Sequence, residues 1–387
     1  MIMTSWKTYR LGDIAKFQTG KLNSNAAVEN GKYPFFTCSP NTLAIDNYAF
    51  DKEAILLAGN NAEGNFSIKY YKGKFNAYQR TYIIETYNDK CDIKFLFYAL
   101  KLCLQQFKLM SQGTSTKFLT AVILNNFEIS LPSLEEQRRI AGILGAIDDK
   151  IENNRLINTN LELQAQALYK QWFVDFEFPN EDGEPYKSSG GKMVDSELGQ
   201  IPEGWRVGTL SNLANVTMGQ SPNGKSFNEN GEGIVFYQGR TEFGSRYPSI
   251  RLYTTEPTRF AVPMSVLLSV RAPVGDINIA TQKCCIGRGV ASIKSKIGAD
   301  AFMYCCLKEL RPQLDQYNGE GTVFGSINRK ELEGLSLCVP KEEIITLFNN
   351  CISGMDKQMF NLFKENQTLA TLRDTLLPKL MNGEIKM

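Results

Sequence analysis

Apolar residues recur along two long stretches of the chain at alternating steps of four and three. In the first, positions 140, 144, 147, 151, 154, 158, 161, 165, 168 and 172 read Ile, Leu, Ile, Ile, Asn, Asn, Leu, Ala, Leu and Trp. In the second, positions 348, 352, 355, 359, 362, 366, 369, 373, 376 and 380 read Phe, Ile, Met, Met, Leu, Asn, Leu, Arg, Leu and Leu. Such steps are those of a heptad seam, here sustained over about four heptads. Each stretch predicts a helix of about 40 residues, roughly 60 Å long. A seam held at a 3.5-residue period calls for a helical partner, so the two seams are expected to pack on each other. Packing of each helix on its own neighbouring block is the other reading. The pairing is expected to run through Leu144, Ile147, Ile151, Asn158, Leu161 and Leu168 of the first helix. On the second it runs through Ile352, Met355, Met359, Asn366, Leu369 and Leu376. Asn158 and Asn366 stand at equivalent seam positions, where a buried Asn pair can fix register at some cost in stability. Asn154 and Arg373 also fall on the seam and leave its register open.

Ahead of each helix lies a block of roughly 130 residues, rich in β-branched and aromatic residues, Gly and Asn. The blocks end at Leu131-Pro132 and Val339-Pro340, and a proline there suits the start of a helix. The two halves repeat. At an offset of 199, Trp6 matches Trp205, Leu11 matches Leu210, Ala15 matches Ala214 and Gly20 matches Gly219. At an offset of 208, Gly113-Thr114 matches Gly321-Thr322, Leu124 matches Leu332 and Pro132 matches Pro340. A period of half the chain excludes a solenoid and indicates two copies of one module. The expected fold is α+β, with the first block at residues 1–132, the first helix at 133–174, a connector at 175–204, the second block at 205–340, the second helix at 341–380 and a tail at 381–387. The connector is rich in Gly, Pro, Ser and acid and reads as irregular. The second helix is expected to stop at Leu377-Pro378, with Asn382-Gly383 beyond.

The 387 residues are enough for two or three domains, and 43% hydrophobic against 22% charged residues indicates a buried core. Histidine is absent, which removes His-based triads, His metal ligands and His general bases. Nine cysteines at 38, 91, 103, 284, 285, 305, 306, 338 and 351 form no C-x-x-C, so reduced thiols are expected and no metal site. The segment MIMTSWKTYRLGD has no apolar core of a signal, and no apolar run approaches about 18 residues. A cytoplasmic, soluble protein with no membrane partner is expected. The net charge is +2, but unevenly spread. Residues 1–132 carry 15 Lys+Arg against 10 Asp+Glu, residues 201–340 carry 15 against 12, and residues 133–184 carry 5 against 11. Two mildly basic blocks fit two surfaces facing a polyanion.

No catalytic signature stands up. Gly219-Gln220-Ser221-Pro222-Asn223-Gly224-Lys225-Ser226 satisfies G-x-x-x-x-G-K-[ST], but a phosphate loop needs a helix directly after it. The residues that follow, FNENGEGIVFYQG, have no helical period, and the first copy has Gly20-Lys21-Leu22-Asn23 there. Neither Asn-Pro-Pro nor Asp-Pro-Pro occurs, and Glu384-Ile385-Lys386 is a bare E-x-K. Glu135-Glu136 and Asp148-Asp149 read as solvated helix surface. The blocks instead read as binders of nucleic acid. In the first, the stretch from Lys69 to Arg80 interleaves basic and aromatic residues, and Lys72, Lys74, Tyr78, Gln79 and Arg80 are candidates for DNA contact. Gln112, Thr114 and Lys117 lie in a small-residue loop suited to phosphates. In the second, Gln238, Arg240, Arg246, Arg271, Arg288 and Thr322 are the candidates, among further arginines at 251 and 259. Arg can hold a guanine edge or a phosphate with two bonds.

With these residues in view, the whole chain resembles the specificity subunits of type I restriction–modification enzymes. The resemblance is carried by Leu131-Pro-Ser-Leu-Glu-Glu-Gln-Arg-Arg-Ile140, Gln171-Trp-Phe-Val-Asp-Phe-Glu-Phe178 and Ser196-Glu-Leu-Gly-Gln-Ile-Pro-Glu-Gly-Trp205. Gly219-Gln-Ser-Pro222, Arg271-Ala-Pro-Val-Gly275 and Cys285-Ile-Gly-Arg-Gly289 add to it. It implies two target-recognition domains, each followed by a long helix, with the helices paired as an antiparallel coiled coil. Each domain would read one half of a split double-stranded DNA target, and the helices would set the unread spacer. Two modification subunits would methylate adenine, and restriction subunits can add ATP-driven cleavage. The resemblance places the methyl donor, magnesium and ATP on partner subunits and leaves no cofactor in this chain. The copies differ where they align: Arg271–Gly275 faces Asn60–Gly64, and Gly287-Arg288-Gly289 faces Tyr78-Gln79-Arg80, so the half-sites should differ. A free-standing DNA-binding protein of the same ancestry is the alternative, and an enzyme using the loop around Lys225 a third reading.

Overall fold

A computed structural model describes residues 6–87, 89–319 and 325–385. The chain divides into two units, residues 1–153 with 365–387, and residues 154–364. Each holds one block and a stretch of both long helices, which span Leu134–Phe173 and Glu342–Met381. None of the seam positions is exposed.

In the first unit a six-stranded sheet runs in the spatial order Ala15–Thr19, Thr81–Thr86, Phe50–Ala58, Ile68–Ala77, Tyr33–Phe36, Leu43–Ile45. All neighbours are antiparallel except Tyr33–Phe36, which runs parallel to Ile68–Ala77. The period of two decides the faces. Ala54 and Leu56 join Phe36, Phe75, Ala77 and Ile83 on one side. Ile55 and Leu57 join Ile84, Phe95 and Leu100 on the other, under the helix Ile93–Leu102. Five consecutive buried residues, 54–58, mark a strand covered on both faces. The sheet curls, because strands three places apart in the order come together at one end. A Cβ on Gly20 would lie 1.8 Å from the Ala77 carbonyl, so only glycine admits this approach.

The second unit repeats the order with one break. Ala214–Met218, Val290–Ser295, Val266–Ser269 and Ile277–Ile279 form a four-stranded sheet. Phe227–Asn228, Leu252–Thr254, Ile234–Tyr237, Cys284–Ile286 and Phe260–Ala261 form a five-stranded one. Ile277–Ile279 and Cys284–Ile286 together occupy the place of Ile68–Ala77. The parallel pairing recurs between Ile234–Tyr237 and Cys284–Ile286. The close approach recurs too: a Cβ on Gly219 would lie 2.2 Å from the Gly287 carbonyl.

In both globular blocks the first strand pairs antiparallel with the strand that leads into a long helix. These pairs are Lys7–Arg10 with Glu128–Leu131 and Arg206–Thr209 with Ser336–Val339. The hydroxyl of Ser133 caps the first helix by accepting from Glu136 N at 3.2 Å.

The helices pack antiparallel within each unit. In the first, Lys150 lies 3.5 Å from Glu365, Arg373 donates to Asp148 at 2.8 Å, and Ile140, Ala141 and Leu144 share a core with Leu377, Leu380 and Met381. Asn366 Nδ2 donates to the Ile151 carbonyl of the other helix at 3.3 Å. In the second unit Tyr169, Trp172 and Phe173 surround Phe348, with ring centroids 5.8, 5.6 and 5.1 Å away. Phe302 of the globular block joins them. Helix-on-helix and helix-on-block packing therefore coexist.

Two expectations change. The second helix continues through Pro378 to Met381, because Leu377, Leu380 and Met381 are held in the core. It closes at Gly383, φ +70°, where Glu384 N bonds to Lys379 O at 3.0 Å and Gly383 N to Leu380 O at 3.3 Å, a left-handed glycine stop. The connector is not irregular throughout. It holds the hairpin Met193–Ser196/Gly199–Pro202, and Phe178 stacks on Tyr186 and Trp205 at 4.6 and 4.9 Å. The stack around buried Phe178 supplies the order that its composition does not suggest.

Gly20→Ala is expected to unfold or severely destabilise the first unit, since the carbonyl it meets is fixed in the ladder. Gly142→Ala, inside the first helix with nothing within 4 Å of the new Cβ, should stabilise by about 0.5–1 kcal/mol. Urea denaturation of both variants checks the pair.

Candidate nucleic-acid interface

Main-chain bonds gather separate loops at one end of each curled sheet. In the first unit Tyr78 N bonds to Phe36 O at 2.9 Å, Gln79 N to Leu22 O at 2.9 Å and Gly59 N to Arg80 O at 2.8 Å. Leu119 N bonds to Gly59 O at 2.9 Å, and Gln112 pairs with Phe118 in both directions. Tyr78, Gln79, Arg80, Gln112, Thr114 and Lys117 thus come together on two segments, 78–80 and 112–117, tied through Gly59. Gln79, Arg80, Gln112 and Thr114 are exposed, and Tyr78 and Lys117 half-buried. Gln79 Nε2 donates to Asn23 Oδ1 at 2.8 Å, and the Arg80 guanidinium lies 5.3 Å from the Phe118 ring centroid. Asn61 Oδ1 accepts from Glu63 N and Asn65 N, folding the 60–65 loop on itself. Lys69, which donates to Ser39 O at 3.0 Å, is lowered in pKa by burial.

Lys72 and Lys74 are not brought to these loops. They sit mid-strand opposite Glu53 and Asp51. Lys72 is 3.8 Å from Glu53, and Lys74 lies 4.7 Å from the Tyr48 ring centroid.

The second unit repeats three of these bonds and draws in the Gly219 segment by a different one. Gly287 N meets Tyr237 O at 2.8 Å, Gln220 N meets Ile286 O at 2.9 Å, Val270 N meets Gly289 O at 3.0 Å and Ile327 N meets Val270 O at 3.1 Å. Gln238, Arg271 and Arg288 stand exposed on these segments, and Arg288 N donates to Ser221 Oγ at 3.3 Å. Arg240 is exposed beside them, but its Nε is committed to Asp276 at 2.8 Å, a carboxylate it shares with Arg311. Thr322 lies outside the described residues.

Arg246 is a correction. It is 8% exposed and cannot face a ligand. Its guanidinium holds Glu162 of the first helix and Asp356 of the second, and stacks on Tyr304 at 4.1 Å. Burial disfavours its charge, but Glu162, Tyr304 and Asp356 outweigh that and raise its pKa. Sequence reasoning counted the arginine without the carboxylates that reach it only through folding. It also passed over Asn23, Asn61 and Ser221, which shape these ends; the glycines at 20 and 219 were the available signal.

The resemblance of Gly219–Ser226 to a phosphate loop ends here. Gly224–Ser226 is one 3₁₀ turn, followed by the strand Phe227–Asn228, so no helix N-terminus faces the loop. Among the described residues no group of three or more Cys, Asp or Glu could hold a metal ion, and no helix is long and apolar enough to cross a membrane.

Residues 3–163 and 202–365 each match the family model of the type I restriction modification DNA specificity domain. The chain therefore belongs to the type I restriction–modification DNA-specificity family. It is 32% identical over 323 residues to a Methanocaldococcus jannaschii chain provisionally described as the type I restriction enzyme MjaX specificity subunit, covering 82% of this chain and 70% of that one. It is 28% identical over 415 residues to the type I restriction enzyme EcoDI specificity subunit of Escherichia coli, covering 98% and 88%. Among solved structures, the S subunit of a type I restriction–modification system from M. genitalium aligns over 98% of this chain and 97% of its own, with a TM-score of 0.63. At 17% identity that likeness establishes the fold alone.

Arg246→Ala should cost about 3–5 kcal/mol by leaving two carboxylates without their cation, with DNA sequence preference unchanged; chemical denaturation and a binding-site selection check both halves. Burial pushes the Glu162 carboxyl up, but Arg246 and Lys308 more than offset it and hold its pKa below the ordinary glutamate value. A folded value below the unfolded one gives stability that is complete above the unfolded pKa and lost as pH falls through the folded one. Glu162→Gln should therefore flatten the acid side of the stability–pH curve.

Proposed function

We propose that this chain is the DNA-specificity subunit of a type I restriction–modification enzyme and carries out no chemistry itself. Each globular block reads one half of an asymmetric, gapped, two-part target in double-stranded DNA. The paired helices set the unread spacer and dock two modification subunits, which methylate adenine in each half. Restriction subunits can join the same assembly in the cytoplasm. The methyl donor, magnesium and ATP reside on those partners. The observation that carries the reading is the duplicated sheet end: one set of main-chain bonds, presenting Gln79, Arg80 and Gln112 in one copy and Gln238, Arg271 and Arg288 in the other. A repeated scaffold with different polar side chains suits two readers of unlike half-sites. Family membership supports DNA as the ligand and methyltransferase subunits as partners.

Methylome sequencing of cells expressing the chain with its modification subunit should reveal adenine methylation in one gapped two-part motif. Exchange of one block should change one half only. An active methyltransferase with no gapped motif would overturn the proposal.

Inserting one heptad into both helices, after Asn158 and after Asn366, adds about 10 Å and should lengthen the unread spacer by roughly three base pairs. An unchanged spacer in the same sequencing assay would reject the ruler.

A further inference from the structure

We infer that the half-site read by the second globular block contains guanine, and that Arg271 and Arg288 read it at the major-groove edge. This rests on the reading of the chain as a specificity subunit and adds the base chemistry of one half.

The second block, residues 205–340, has arginines at 206, 240, 246, 251, 259, 271, 288, 311 and 329. Five are held by carboxylates: Arg240 and Arg311 by Asp276, Arg246 by Glu162 and Asp356, Arg251 by Glu242 and Arg329 by Glu333. Among the described residues no ion pair reaches Arg206, Arg259, Arg271 or Arg288. Three of these four share the loop end of the curled sheet. The Arg259 carbonyl accepts Ile286 N at 2.9 Å, and the Gly289 carbonyl accepts Val270 N at 3.0 Å, so residues 259, 271 and 288 lie on adjoining segments. All three are exposed. A guanidinium left without a carboxylate keeps its whole donor fork for an outside acceptor.

A phosphate could use that fork as well as a base, and the backbone separates the two. Arg288 sits between Gly287 and Gly289, where a Cβ would lie 3.0 and 2.9 Å from the Gln238 carbonyl. Arg271 is bridged to Ser326, and Ala272 N bonds to Gly325 O at 2.9 Å. Both main chains are fixed, so each guanidinium is presented from a set position, as recognition of the paired N7 and O6 acceptors of guanine requires. Arg259 flanks them on the short strand's edge, a place suited to a phosphate. The first block offers a contrast. Asn60 and Gln79 hold the matching positions, Gln79 is bonded to Asn23, and Arg80 leans on Phe118. Amides match adenine where arginines match guanine.

The test uses the full chain with its modification subunits. Arg271→Ala and Arg288→Ala should each relax one G·C position of the methylation motif, in the same half, and leave the other half intact. Arg271→Lys, which keeps the charge but loses the fork, should relax the same position. Replacing that guanine by 7-deazaguanine in a synthetic duplex removes N7 and should weaken binding about tenfold. Three results would overturn the inference: a responding half made only of A·T pairs, full specificity in Arg271→Lys, or an unchanged motif with methylation lowered evenly at every site. The last would make both arginines phosphate contacts. Absence of any gapped motif would instead bring down the specificity-subunit reading itself.

Discussion

Within each unit, two helices and a globular block are joined through one partly buried cluster built on an aspartate. Asp148 of the first helix and Asp356 of the second stand 208 residues apart, the offset of the repeat. Asp148 accepts from Arg373 of the other helix at 2.8 Å and from Tyr98 of the block at 2.7 Å. Asp356 is held by Arg246, which belongs to the block and also grips Glu162 of the other helix. The cation comes from a different element in each unit, but the result is the same three-way junction. Heptad packing alone tolerates sliding, since leucine against methionine differs little from one turn to the next. A buried ion pair is costly when misaligned and roughly neutral when satisfied. Its contribution is therefore to orientation: it sets how a block sits against its stretch of helices.

The curled sheet applies the same economy to recognition. Glycines at 20 and 219 let one strand end approach the carbonyls of another, and this gathers loops from distant parts of the chain. Most of the bonds that tie those loops are main chain, and these do not depend on which side chains the loops carry. Gln79 and Arg288 can hold equivalent places without disturbing the sheet beneath. Binding surfaces that must differ between copies are thereby separated from the framework that must not.

The helices, the repeat and the DNA-facing character of the blocks were legible because their signals are local. A 3.5-residue period, Leu131-Pro132 before a helix and Gly20 matched by Gly219 need no knowledge of what lies across the core. The gathering of Tyr78, Gln79, Arg80, Gln112, Thr114 and Lys117 was legible in part, because most of them lie in two short segments. Lys72 and Lys74 share that stretch of sequence but are directed by strand register to Glu53 and Asp51. Pro378 looked like a stop, yet the last turn survives because Leu377, Leu380 and Met381 are buried.

The two-copy α+β plan, the long helices, the absence of histidine chemistry and the basic, amide- and arginine-bearing character of the loops all follow from the order of residues along the chain. Which arginines remain available depends on how the chain folds. Arg246 and Arg288 are indistinguishable as letters, each in a Gly-rich stretch of the second block. Folding carries one to Glu162 and Asp356, residues 84 and 110 positions away, and leaves the other at an exposed turn. Periodicity is written into neighbouring residues, whereas the pairing of a charge depends on what the rest of the chain brings to it.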